Sequence, residues 1–102
     1  MSKEYLVRLP WPPKDLSPNA RAHYMRRASA AKGYRRDCCI AAQATGCRNL
    51  GWDGLHAHIT FYPPDNRRRD VDNLLAQIKS GLDGIADASG VDDSLWQYSI
   101  SR

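Results

Sequence analysis

Long apolar runs are missing from this sequence. None approaches the roughly 18 residues that a membrane-spanning helix needs, and no signal-peptide pattern precedes the first predicted strand. A soluble, cytoplasmic protein with no membrane partner is therefore expected. Cysteine is scarce, with only Cys38, Cys39 and Cys47. An odd count with two neighbours adjacent fits neither a disulfide framework nor a zinc site built from CxxC pairs. Reduced, partly buried thiols are the expectation. A glycine-rich phosphate loop is also missing. Its absence, and the little room that 102 residues leave for a nucleotide pocket, argue against a nucleotide-dependent transferase. Internal repeats and low-complexity tracts are absent too.

What is present is an ordinary globular composition, 42% hydrophobic and 25% charged, over 102 residues. That length accommodates one domain, spanning 1–102. So short a chain buries only about 60–65% of its unfolded surface, and dimerisation would bury more. The net charge is +4 and the pI about 9.2. The charge is unevenly placed. Residues 1–48 hold ten Lys/Arg against three acids, and residues 65–93 hold seven Asp against four Lys/Arg. A basic half beside an acidic cluster suits a protein that grips phosphates and also holds a cation. Plain solvated charge would give the same counts.

Residues 4–9 read as a strand stopped by Pro10, Pro12 and Pro13. The proline-rich stretch 10–20 reads as a loop, with Ser17 or Asn19 available to cap a following helix. Residues 19–45 read as mostly helix, weakened at Gly33, so that a narrower reading starts the regular part at Tyr34. Residues 55–62 alternate cleanly, with Leu55, Ala57, Ile59 and Phe61 on one face and His56, His58, Thr60 and Tyr62 on the other. Val71, Leu74, Leu75, Ile78, Leu82 and Ile85 follow helical spacing and predict an amphipathic helix over 73–88, with Asp72 as N-cap and Gly90 as terminator. A turn at 91–94 then leads to a last strand, 95–101. The expected fold is a two-layer α/β (α+β) single domain, ordered β-α-β-α-β, with a small mixed sheet.

The chemistry concentrates in Arg67-Arg68-Arg69-Asp70-Val71-Asp72-Asn73. Two carboxylates two residues apart at a strand-to-helix junction can share one hard cation, which takes one or two protein carboxylates plus water and phosphate. The adjacent arginines can hold a phosphodiester. Capping and loop solvation place Asp at such junctions as well, so the spacing alone is weak. Asp92 and Asp93 form a second carboxylate pair that the chain can carry back towards the first, although a turn with a helix cap uses the same residues.

LPWPP near the N-terminus, Ser17-Pro18-Asn19 followed by His23, Gly33-Tyr34-Arg35, YPPDNRRRDVDN and GLDGIADASGVDDS occur in this order and together resemble the RusA family of Holliday-junction resolvases. The phage and prophage branch is the most similar, and the resemblance covers nearly the whole chain. It implies a homodimer that nicks four-way junction DNA symmetrically in recombination and repair, with Mg²⁺ or Mn²⁺. It implies Asp70, Asp72 and Asp93 as the essential, metal-binding carboxylates, with Asp92 next in line. Arg67, Arg68 and Arg69 are the expected phosphate contacts, and Asn19, His23, Arg26 and Arg27 a further DNA-facing group. Two departures stand out. The family often has a lysine four residues after the second motif Asp, where this chain has Ala76; Lys79, near the same helical face, is either its substitute or an ordinary exposed helix lysine. Relatives also continue into another strand where this chain stops at Arg102; either a shortened copy or a sequence cut short of the protein's own end would leave an unpaired sheet edge. These departures leave a second reading open, a junction-binding module that no longer cuts. His56 and His58, at i and i+2 on a strand, have the spacing of a transition-metal pair or of an ordinary polar face. Trp11, Trp52 and Trp96 are expected to anchor the core or an interface.

Overall fold

The computed structural model describes residues 3–101. It is an α+β domain of two helices and a two-stranded parallel sheet. The chain runs through a short 3-10 turn at Lys14–Leu16, helix α1 (Tyr24–Ala44), strand β1 (Leu55–Thr60), helix α2 (Val71–Ser89), a second 3-10 turn at Asp93–Leu95 and strand β2 (Trp96–Ser101).

The expected first strand is extended but unpaired. Tyr5, Val7 and Leu9 are half-buried while Leu6 and Arg8 are exposed, the alternation of a strand. Yet the sheet among the described residues holds β1 and β2 alone. Side chains, not a backbone ladder, hold this segment down. Tyr5 and Val7 pack on Ala42, Cys47 and Ala88, and Leu9 on the main core. The Tyr34 hydroxyl donates to the Pro10 carbonyl at 2.8 Å. The sheet is accordingly parallel where a mixed one was expected.

Helix α1 begins at Tyr24, capped by His23, whose Nδ1 accepts the Met25 amide at 3.2 Å. Ser17 instead accepts the Asn19 amide at 3.3 Å and shapes the preceding turn. The helix passes through Gly33 without a break. Tyr34, Cys38 and Ala42, four residues apart, form its buried face. Helix α2 is the expected amphipathic helix, longer by two residues at its head and one at its tail. It buries Leu74, Ile78, Leu82 and Ala88, and Gly90 ends it in the left-handed conformation at φ 75°.

Gly81 and Gly84 set how closely the helices cross. A Cβ on Gly81 would stand 2.9 Å from Cys38 Sγ, and one on Gly84 would strike the Arg35 carbonyl. Hydrogen at Gly84 admits the α1 backbone, and hydrogen at Gly81 admits the Tyr34 and Cys38 side chains.

β1 and β2 pair from Leu55↔Trp96 to Thr60↔Ser101. Parallel neighbours need a long crossover, and α2 supplies it. Trp96 is buried, donating its indole N–H to the Val91 carbonyl at 3.0 Å. It joins Tyr34, Cys38, Phe61, Leu74, Ile78, Leu82 and Val91 in the core, with Trp11 and Trp52 packed on the edge. All three tryptophans therefore serve the core, as expected. The cysteines are free thiols. Burial pushes Cys38 up to about 11 and raises Cys47 as well, so both stay protonated at neutral pH. None of the helices among the described residues is long and apolar enough to cross a membrane.

Candidate functional site

The arginine loop ahead of α2 is built around Asp65. Its Oδ1 accepts the Arg67 amide at 2.9 Å, the largest reason its acidity is increased, and its carboxylate also pairs with Arg69 at 2.9 Å. Arg69 donates to the Arg67 carbonyl at 3.1 Å and lies 5.3 Å over the Trp11 ring, a cation–π contact. Its side chain is only 17% exposed, against 83% for Arg67. Arg69 thus organises the loop and fastens it to the LPWPP segment, while Arg67 and Arg68 face solvent. Gln77 completes that fastening by donating to the Pro12 and Pro13 carbonyls at 3.3 and 3.0 Å. Arg68, Arg69, Asp70 and Asn73 line an open cleft of about 520 Å³ at this end of the helix.

Asp70, not Asp72, is the N-cap of α2, its Oδ1 accepting the Asp72 amide at 3.0 Å. One oxygen of Asp70 is therefore occupied by the helix it starts. Asp72 sits exposed in the first turn, where the helix dipole favours negative charge.

Helical periodicity places Asp72, Ala76, Lys79 and Asp83 on a single side of α2. The Lys79 ammonium bridges Asp83 Oδ1 at 2.7 Å and Asp93 Oδ2 at 2.8 Å. These two carboxylates, Asp83 foremost, hold Lys79 firmly in its charged form. Asp92 caps the short turn that presents Asp93, its Oδ1 accepting the Ser94 amide at 2.9 Å, and that bond keeps Asp92 below the ordinary carboxylate range. Arg35, Asp83, Asp87, Asp92 and Asp93 line a second cleft of about 330 Å³. Arg35 grips Asp87 through two bonds of 2.6 and 2.8 Å, tying α1 to α2 and holding Asp87 low.

The crossover thus returns Asp93 to the same helix side as Asp72, beside Lys79. Asp72 and Lys79 are seven residues apart, about 10 Å along the axis. Oxygen donors of this kind suit Mg²⁺ or Mn²⁺. Among the described residues, however, no three acidic, histidine or cysteine side chains converge on one point. Asp93 accepts from Lys79, which also holds Asp83, and is not gathered with Asp70 and Asp72. The part of Asp83 was missed in the sequence, where its i, i+4 spacing from Lys79 was the available signal.

Of the other expected DNA contacts, Asn19 and Arg26 are exposed, and Arg26 lies 3.7 Å from Asp15. His23 is the α1 cap. Arg27 donates to the Ser17 and Ala20 carbonyls at 3.3 and 3.2 Å, a structural task. His56 and His58 stack on the outer face of β1 with ring centroids 4.2 Å apart.

The chain is 47% identical over 93 residues to an uncharacterized protein of Xylella fastidiosa (strain Temecula1), an alignment covering 83% of this chain and 58% of that protein. The chain thus spans little more than half of the relative's length. No family model matches the chain, and no solved structure matches it.

Proposed function

We propose that this chain is a metal-dependent DNA endonuclease domain of the RusA kind, acting as a homodimer on four-way junctions with Mg²⁺ or Mn²⁺. One observation carries the reading: a single side of α2 holds Asp72 at its head and Lys79 further along, the crossover returns Asp93 to Lys79, and the loop that leads into the helix exposes Arg67 and Arg68. Asp70, Asp72 and Asp93 are the proposed ligand set, and a single ion would engage all three only once Asp93 is released from Lys79 and drawn towards the head of α2. A bound divalent ion would polarise a phosphodiester and acidify water. The chain's own residues supply the rest. Arg67 and Arg68 attract and orient the phosphate backbone. Lys79 offers an ammonium at the position that compensates for Ala76, and Asp83 keeps it on this side of the helix. In a dimer, two identical sites match the two-fold symmetry available to a four-way junction.

The decisive experiment is nicking of a labelled synthetic four-way junction in Mg²⁺ or Mn²⁺, beside linear duplex and an Asp70→Asn variant. Junction-selective cutting that the variant lacks is expected. Cutting retained by Asp70→Asn refutes the assignment. A second reading, a module that grips junction DNA without cutting it, is favoured by the engagement of Asp93 with Lys79 in place of Asp70 and Asp72. Band-shift binding without nicking at any metal concentration is its expected signature.

A further inference from the structure

The chain contains three histidines, and two of them share one strand face. The alternation of β1 directs His56 and His58 outward, and their rings lie nearly parallel, 8° apart in plane with centroids at 4.2 Å. Both residues are exposed. In the parallel register Gln97 stands beside His56 and Ser99 beside His58. Neither strand contributes a charged residue, so no Lys or Arg of the sheet repels a cation there. Ser99 Oγ lies 2.6 Å from His56 Nε2. A hydrogen bond on one ring nitrogen leaves the other as the available ligand, the role of supporting hydrogen bonds at metal-bound histidines.

We propose that His56 and His58 form a transition-metal chelate on the outer face of the sheet, taking Zn²⁺, Ni²⁺ or Cu²⁺. Imidazole nitrogen suits these ions, whereas carboxylate and water oxygen suit Mg²⁺ and Mn²⁺. The site is therefore separate in donor class from the carboxylates on α2. The strand already places both side chains on one side, and the proposal requires the two exposed rings to turn out of their stack so that His56 Nδ1 and a His58 nitrogen meet a common ion. Solvent fills the remaining positions.

Calorimetric titration of the chelator-stripped full chain with Zn²⁺ alone tests this, with His56→Gln, His58→Gln and His23→Gln variants. One Zn²⁺ per chain is expected for the wild type and for His23→Gln. Either sheet variant should bind about tenfold more weakly or worse, with an unchanged circular dichroism spectrum because both side chains are exposed. Excess Mg²⁺ should not displace the Zn²⁺. The proposal is overturned if the wild type takes up no Zn²⁺, if either sheet variant binds as the wild type does, or if one ion serves two chains. Loss of binding in His23→Gln, or displacement by Mg²⁺, overturns it equally.

Discussion

At the residue scale, Asp70 has two tasks that substitution can separate. It caps α2 through Oδ1, and it is a proposed metal ligand. Asn caps a helix about as well as Asp, while Ala does not. Asp70→Asn should therefore keep the stability of the wild type in urea melts while losing cleavage. Asp70→Ala should lose cleavage and about 1 kcal/mol of stability as well. Equal melts for the two variants would show that the cap contributes nothing. The arginines divide in the same way. Arg67→Ala and Arg68→Ala should leave the fold intact, weaken junction binding uniformly and each lower the salt dependence of binding by about one phosphate contact. Arg69→Ala should loosen the loop itself, since it loses the Asp65 pair and the Trp11 contact together. Thermal melts beside band shifts in a salt series distinguish the two outcomes.

At the scale of the elements, the glycines of the two helices have opposite expectations. Gly84 lies against the α1 backbone, where overpacking costs about 1–3 kcal/mol, so Gly84→Ala should lower the urea midpoint. At Gly33 an added methyl would meet nothing within 4 Å. There, Gly33→Ala should raise stability by up to about 1 kcal/mol through helix propensity. The tie between the helices also sets an acid response. Asp87 is held below its ordinary range by the Arg35 bonds, so its contribution is present above the unfolded carboxylate pKa and is lost as pH falls through the lower, folded value. Asp65 and Asp92, lowered by backbone N–H donors, act in the same direction. Stability should therefore fall on acidification below about pH 4. Asp87→Asn should make that fall shallower in urea melts recorded across pH, and an unchanged slope would count against the Arg35–Asp87 tie.

For the whole molecule, two strands are few. A two-stranded sheet is marginal without packing on at least one face, and α2 with the core supplies that packing here. On β2 the cover is thin beyond Trp96: Tyr98 and Ile100, on the same face, are 44% and 40% exposed. The proposed homodimer is checked by sedimentation equilibrium, where a two-chain mass at micromolar concentration is expected and a monomer refutes it. The basic surplus of the first half should make junction affinity fall steeply between low and physiological salt. A flat salt dependence would remove the electrostatic part of the functional proposal.

Periodicity made α2 and β1 legible, because the apolar positions of these segments report directly which face is packed, whereas β2 buries Trp96 alone of its six residues. The Asp65–Asn73 block stood out as a candidate for chemistry, because carboxylates beside arginines are conspicuous against any background. Local capping was harder to read. His23 and Asp70 took the places expected of Ser17 or Asn19 and of Asp72, since backbone geometry at the helix entry chooses among several competent side chains. Residues 4–9 carry a strand's alternation yet make no ladder. Their burial against the helices satisfies the same pattern that pairing would, and sequence periodicity does not distinguish the two. Above all, the partners of Asp93 were decided by tertiary structure. Spacing along the chain brought it back to α2, but only the depth of the crossover and the reach of the Lys79 side chain set it beside Lys79 and Asp83 instead of Asp70 and Asp72.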